Sequence, residues 1–138
     1  MGMKEWVEKY YPKTAEEVAK EGVQASLEHA LNKWKGARPE VLREYHLILD
    51  GTHLTDGIEW FPLTASTCAL CVLFDQPHSG HSCAGCPLTI QEGPVMSRCW
   101  SYGRGWHAFF EDRGPDLMIE ELEEALEKWK KENPCFSV

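Results

Sequence analysis

The chain has 138 residues, enough for one domain with a modest core. Hydrophobic residues at 43% and charged residues at 26% exclude a disordered chain. Basic residues number 14 and acidic ones 22, and the formal charge of −8 argues against direct nucleic-acid binding and against an anionic membrane as the main partner. No apolar run is long enough for a transmembrane helix. The opening stretch MGMKEWVEKYY lacks the apolar region of a signal peptide, and Trp6 stands where a myristoylation signal wants serine or threonine. The expectation is a cytoplasmic protein.

The first segment, residues 1–45, carries eight acids and eight bases. A short helix is expected from Lys4 to Tyr10. Thr14-Ala-Glu-Glu17 reads as a capping box, the Thr14 hydroxyl taking a backbone N–H while Glu17 reaches back. Val23, Leu27, Ala30, Leu31 and Trp34 then give one helical face, with Gly36 as the stop. Pro39 opens a further short helix through Tyr45.

The middle segment, 46–110, carries five acids, two bases (Arg98 and Arg104) and no lysine. It holds five of the six cysteines, five of the six histidines and seven of the eleven glycines, so the polar chemistry is concentrated there. Leu47-Ile-Leu49 entering Asp50-Gly51 predicts a strand and turn, and Ile58–Phe61 predicts the returning partner strand after Asp56-Gly57. Trp100-Ser-Tyr102 alternates like a third strand, broken by Gly103 and Gly105.

The last segment, 111–138, carries nine acids and four bases. Pro115-Asp116 precedes Met118, Leu122, Ala125, Leu126 and Trp129, another helical face. Ser26–Lys35 and Glu121–Lys130 share seven of ten residues. Common use of good helix formers accounts for this, and side-by-side packing or a homodimer seam is the alternative. The glutamates of Glu120–Glu127 read as a solvated face, and Trp34 and Trp129 read as core. The whole is expected to be one α+β domain, helices at both ends flanking a small, loop-rich, zinc-stabilised middle with short strands.

The zinc expectation comes from spacing. Cys68-Ala-Leu-Cys71 is followed after eleven residues by Cys83-Ala-Gly-Cys86, and after twelve more by Cys99. A C-x-x-C pair offers both sulfurs to one ion, and two pairs make a tetrahedral Cys₄ site with zinc–sulfur bonds of roughly 2.3 Å. Cys68, Cys71, Cys83 and Cys86 are the simplest set. Cys99 in place of Cys68 is the rival, and a mixed site using His78 or His81 is the third arrangement. Disulfides would need an oxidising compartment, the compact iron–sulfur cysteine run is missing, and no βαβ context supports a redox pair. Cys135 reads as a free thiol. Metal binding would supply folding free energy, on the order of 10 kcal/mol in small zinc peptides, to a segment with few apolar runs. Arg98 and Arg104 are the nearby bases that would offset the charge of four thiolates around the ion.

The pattern Cys68-Ala-Leu-Cys71-x-Leu-Phe74, Cys83-x-Gly-Cys86-Pro-Leu88, Gly93 and Cys99-Trp100 with Tyr102 resembles one in small uncharacterised bacteriophage and prophage proteins. Those proteins also carry a segment resembling Ala25–Trp34, so the resemblance covers roughly residues 25–110. It implies a phage-derived, metal-bound protein acting in the bacterial cytoplasm. A host or defence protein is then the expected partner.

Catalytic motifs are missing. There is no His-x-Glu with Pro-Cys-x-x-Cys, no His-Glu-x-x-His, no phosphate-binding loop and no Gly-x-Ser-x-Gly. Zinc held by four thiolates has no open position at which to activate water. The leading expectation is therefore a zinc-stabilised, non-enzymatic binding protein. Two alternatives stand beside it. Arg98, Trp100, Tyr102, Arg104, Trp106 and His107 could hold a nucleotide-type ligand by stacking and phosphate contacts, or simply pack. His46, Asp50, His53 and Asp56 could bind a second metal in a nuclease-like enzyme, or form a polar hairpin loop.

Overall fold

A computed structural model describes residues 2–74, 86–92, 95–97 and 104–133. It combines helices with small antiparallel sheets, an α+β arrangement. Four helices come first: α1 (Met3–Tyr10), α2 (Ala15–Ala19), α3 (Val23–Lys35) and α4 (Pro39–Glu44). At the start of α1, Gly2 N–H donates to Glu5 Oε2 at 2.9 Å and Met3 N–H to Asp56 Oδ2 at 3.3 Å, satisfying donors that a helix start leaves open. Met3 and Trp6 are buried, and the Trp6 indole N–H donates to the Gly36 carbonyl at 2.9 Å.

The helix expected from Thr14 to Gly36 is in fact two. Glu17 N–H donates to Thr14 Oγ1 at 3.2 Å, as a capping threonine requires. The Glu17 carboxylate reaches the Thr14 hydroxyl at 3.1 Å rather than its backbone. The chain then passes through Gly22 at φ 105°, a left-handed conformation that a Cβ disfavours, and helical geometry restarts at Val23. α3 buries Ser26, Leu27, His29, Ala30, Lys33 and Trp34 and ends at Gly36, the expected stop.

Strands β1 (Ile48–Asp50), β2 (His53–Thr55) and β3 (Trp60–Pro62) form an antiparallel sheet in that order. The expected pairing is corrected here. β1 pairs with β2, Leu49 opposite Leu54, and the strand at 60–62 pairs with β2 instead, Phe61 opposite Leu54. The cause is local: the chain already reverses at Gly51-Thr52, and Asp56 builds a second turn by accepting Ile58 and Glu59 N–H at 2.9 and 2.8 Å. Leu54 and Phe61 share the face that is buried.

The middle segment also contains helix that the sequence analysis does not predict. After a 3₁₀ turn (Ala65–Thr67) comes α5 (Ala69–Phe74). β4 (Ile90–Glu92) and β5 (Val95–Ser97) pair antiparallel. α6 (Gly105–Ala108) runs into a π-helical turn (Phe109–Arg113), and α7 (Asp116–Glu132) follows. The strand expected at Trp100–Tyr102 lies outside the described residues.

One core draws on all three segments. Trp6, Leu27, Trp34, Leu54, Leu63, Leu70, Met118 and Leu122 are each at most 2% exposed. Fully burying a large apolar side chain contributes roughly 1.5–3 kcal/mol, so these residues dominate the favourable side of folding. α3 packs against both α5 and α7, so the two helices of similar sequence lie side by side within the chain. Their tryptophans differ: Trp34 is 1% exposed and meets Phe109 edge-on at 5.0 Å, whereas Trp129, also expected in the core, is only half-buried. α6 lies so close to α7 that a Cβ on Gly105 would sit 2.6 Å from Met118 Cα. Among the described residues no helix is long and apolar enough to cross a membrane.

Candidate metal centre

The turn before α5 is fixed by threonine. Thr67 Oγ1 donates to the Pro62 carbonyl at 2.7 Å, and Thr67 N–H donates to the Thr64 carbonyl at 3.1 Å. Cys68 follows immediately and its carbonyl accepts Val72 N–H at 3.1 Å, opening the helix. Ala69 and Leu70 anchor α5 in the core at 0% and 1% exposure. The Cys68-x-x-Cys71 pair thus stands at a helix start. Residues three apart share a helix face, which puts Cys68 and Cys71 on one side of this first turn.

The pKa of the Cys68 thiol is brought down to about 6, first by hydrogen bonding from the Cys71 side chain. Burial opposes the shift, while the charge of Lys33 and the backbone N–H groups of Cys71 and Leu70 favour it. Open N–H groups at a helix start thus serve the sulfur as those of a knuckle would. Cys68 is buried and Cys71 half-buried, and neither is in a disulfide.

Lys33 escapes the sequence analysis. It projects from α3 and is 1% exposed. Its Nζ donates to the Thr67 carbonyl at 3.1 Å and to Thr67 Oγ1 at 3.3 Å, and lies 5.3 Å from the Trp34 ring centroid. The detectable signal is its position: three residues after Ala30 and next to Trp34, it falls inside the apolar stripe rather than outside it.

Cys86 is also buried and belongs to the same core as Cys68, in a turn where Thr89 N–H donates to the Cys86 carbonyl at 2.9 Å. Cys83, Cys99, Cys135, His78 and His81 lie outside the described residues. Among the described residues no three His, Cys, Asp or Glu side chains are gathered as a metal ion requires. Cys68 and Cys71 bring two sulfurs together.

The expected ligand cluster is used differently where it is described. Arg98, Trp100 and Tyr102 lie outside the described residues. Arg104 pairs through Nε with the Glu121 carboxylate and donates from Nη2 to the Leu88 carbonyl at 2.6 Å. Gly105 N–H donates to the same carboxylate. The Trp106 indole N–H donates to the Leu63 carbonyl at 2.9 Å, its ring packed on Phe110 at 4.6 Å. His107 Nδ1 is 3.5 Å from Glu111 Oε2. Arg104 and Trp106 therefore bind distant parts of the chain to one another. Two expectations change. Arg104 is paired with Glu121, and among the described residues Lys33 lies beside Cys68, while Arg98 is outside them. Glu121 also leaves the solvated acidic face, on which Glu120, Glu123, Glu124 and Glu127 remain exposed.

The polar residues at 46–56 spread along the sheet. His46 is exposed in a positive-φ position, and Asp50 is exposed opposite His53 in the hairpin register. His53 Nδ1 is 3.2 Å from Thr52 Oγ1, and its ring stands edge-on to Trp60. Asp56 accepts backbone N–H bonds from Glu59, Ile58 and Met3, which hold its carboxyl below the usual range. That carboxylate ties the sheet to α1.

Comparison of the chain with protein-family models, with curated proteins and with solved structures gives no match.

Proposed function

We propose that the chain is a zinc-stabilised, non-enzymatic protein that binds a host or defence macromolecule, in the bacterial cytoplasmic setting that the phage-like cysteine pattern implies. The observation that carries the zinc reading is the Cys68–Cys71 pair on one face at the start of α5, with Lys33 beside it. Cys83 and Cys86 supply the remaining thiolates in this reading, with Cys99 as the alternative fourth ligand. Four thiolates close the coordination sphere, so the ion is structural. The exposed glutamates of α7, Glu120, Glu123, Glu124 and Glu127, offer a face to a basic partner surface. Internal engagement of Arg104 and Trp106 favours this reading over a nucleotide-binding site, and the three backbone bonds to Asp56 favour it over a nuclease-like metal site.

Native mass spectrometry with elemental analysis of the same sample tests the proposal. One zinc per chain, lost together with the fold on chelation, is the expected result. A folded chain free of metal would overturn it, and iron in place of zinc would move the protein towards redox chemistry. Charge reversal at Glu120 and Glu127 tests the partner face: a complex that forms equally well with the reversed residues removes that face from the reading.

A further inference from the structure

We infer that Lys33 is the buried cation that complements the thiolates of the Cys68–Cys71 pair and sets how tightly the centre holds a thiophilic divalent ion. The inference rests on the zinc reading above and adds a residue to it from outside the cysteine-rich segment. Taking an ammonium out of water is costly unless the fold gives it opposite charge or oriented dipoles. At 1% exposure Lys33 is withdrawn from water. Its Nζ is bonded to the carbonyl of the peptide that joins Thr67 to Cys68, and to the Thr67 hydroxyl. The Thr67 hydroxyl also donates to Pro62, so the acceptor is rigidly placed. The ammonium is thereby fixed beside the residue whose sulfur opens the C-x-x-C pair.

A metal ion held by four thiolates carries a net negative charge, and in a low-dielectric core that charge needs a cation close by. Lys33 comes from α3, one helix away in the core, so it can stabilise the loaded centre without competing for a coordination position. Such outer groups matter: removing one typically weakens metal binding about 10–100-fold.

The test uses the full chain and Zn²⁺, titrated against a chromophoric chelator, with Co²⁺ as a spectroscopic substitute. Lys33→Met removes the charge at similar length, and Lys33→Arg keeps it. Wild type is expected to bind one zinc, Lys33→Met to bind it about 10–100-fold more weakly, and Lys33→Arg to retain most of the affinity. The thiolate-to-cobalt charge-transfer bands are expected to shift in Lys33→Met and to stay in place in Lys33→Arg. If Lys33→Met does not fold, Lys33→Gln takes its place, keeping hydrogen bonding to Thr67 without the charge. Wild-type affinity in the neutral variant overturns the role of Lys33 while leaving the zinc reading intact. Equal weakening by Met and Arg shows a packing effect and overturns the charge argument. Failure of wild type to bind any metal overturns the zinc reading itself.

Discussion

Replacing Glu121 with glutamine tests the junction that ties α6, α7 and the segment at Leu88 together. The carboxylate accepts from Arg104 Nε and from Gly105 N–H, while Arg104 reaches on to the Leu88 carbonyl. The two side chains are 15% and 14% exposed, so the pair is largely withdrawn from water. Hydrogen bonds to a charged group contribute about 1.5–3 kcal/mol, and breaking a fully buried pair costs about 3–5 kcal/mol. Glutamine keeps the shape and one acceptor but removes the negative charge that faces the guanidinium, and residual solvent softens the loss. The expected cost is about 2–3 kcal/mol. For a chain of this length that is a fall in Tm of roughly 6–10 °C. Urea denaturation measures it, with Glu124→Gln on the exposed face as a control expected within about 0.5 kcal/mol of wild type. The double variant with Arg104→Met should cost less than the sum of the singles by about 1 kcal/mol or more. A Glu121→Gln protein no less stable than Glu124→Gln, or strict additivity with Arg104→Met, would refute the assignment.

The contact of α6 with α7 makes Gly105→Ala destabilising by about 1–3 kcal/mol in the same assay, because the new methyl would meet backbone at Met118 Cα; an unchanged midpoint would contradict that close approach. His29 predicts a pH dependence. Burial lowers its pKa below 6.5, its Nε2 bonds the Lys13 carbonyl at 2.7 Å, and its buried Nδ1 has no partner among the described residues. The unfolded chain therefore takes up this proton more readily than the folded one. His29 should cost stability as pH falls through 6.5 and on towards its lower folded value, with a slope of at most about 1.4 kcal/mol per pH unit. His29→Gln should flatten that slope in urea midpoints measured from neutral to about pH 5, and an unaltered slope would assign the dependence elsewhere.

The helices at both ends were legible because their signals are local. Thr14, Gly36 and Pro39 act on their own neighbours, and the apolar period of Met118–Trp129 is written into one stretch of chain. The Cys68–Cys71 pair was legible for the same reason, since its spacing is itself the signal. The helix that carries it was not: six residues of α5 have too little length to show a period, and their burial against α2 and α3 holds them helical. Strand pairing was misread because three-residue strands barely show alternation, and the turn at Gly51-Thr52 decides which run returns first.

The division is plainest in the two stretches of matching sequence. Both contain Lys-Trp-Lys, and the helical propensity of both is determined by their residues alone. Yet Lys33 is sealed in the core beside Cys68, while the Lys128 side chain is 77% exposed and pairs with Glu132. Trp34 is fully enclosed, and Trp129 is not. Sequence set the helices and their caps. Only the packing of α3 between α5 and α7 gave one lysine an electrostatic environment and left the other to water, because burial depends on what lies opposite a side chain, and that neighbour is distant in the chain.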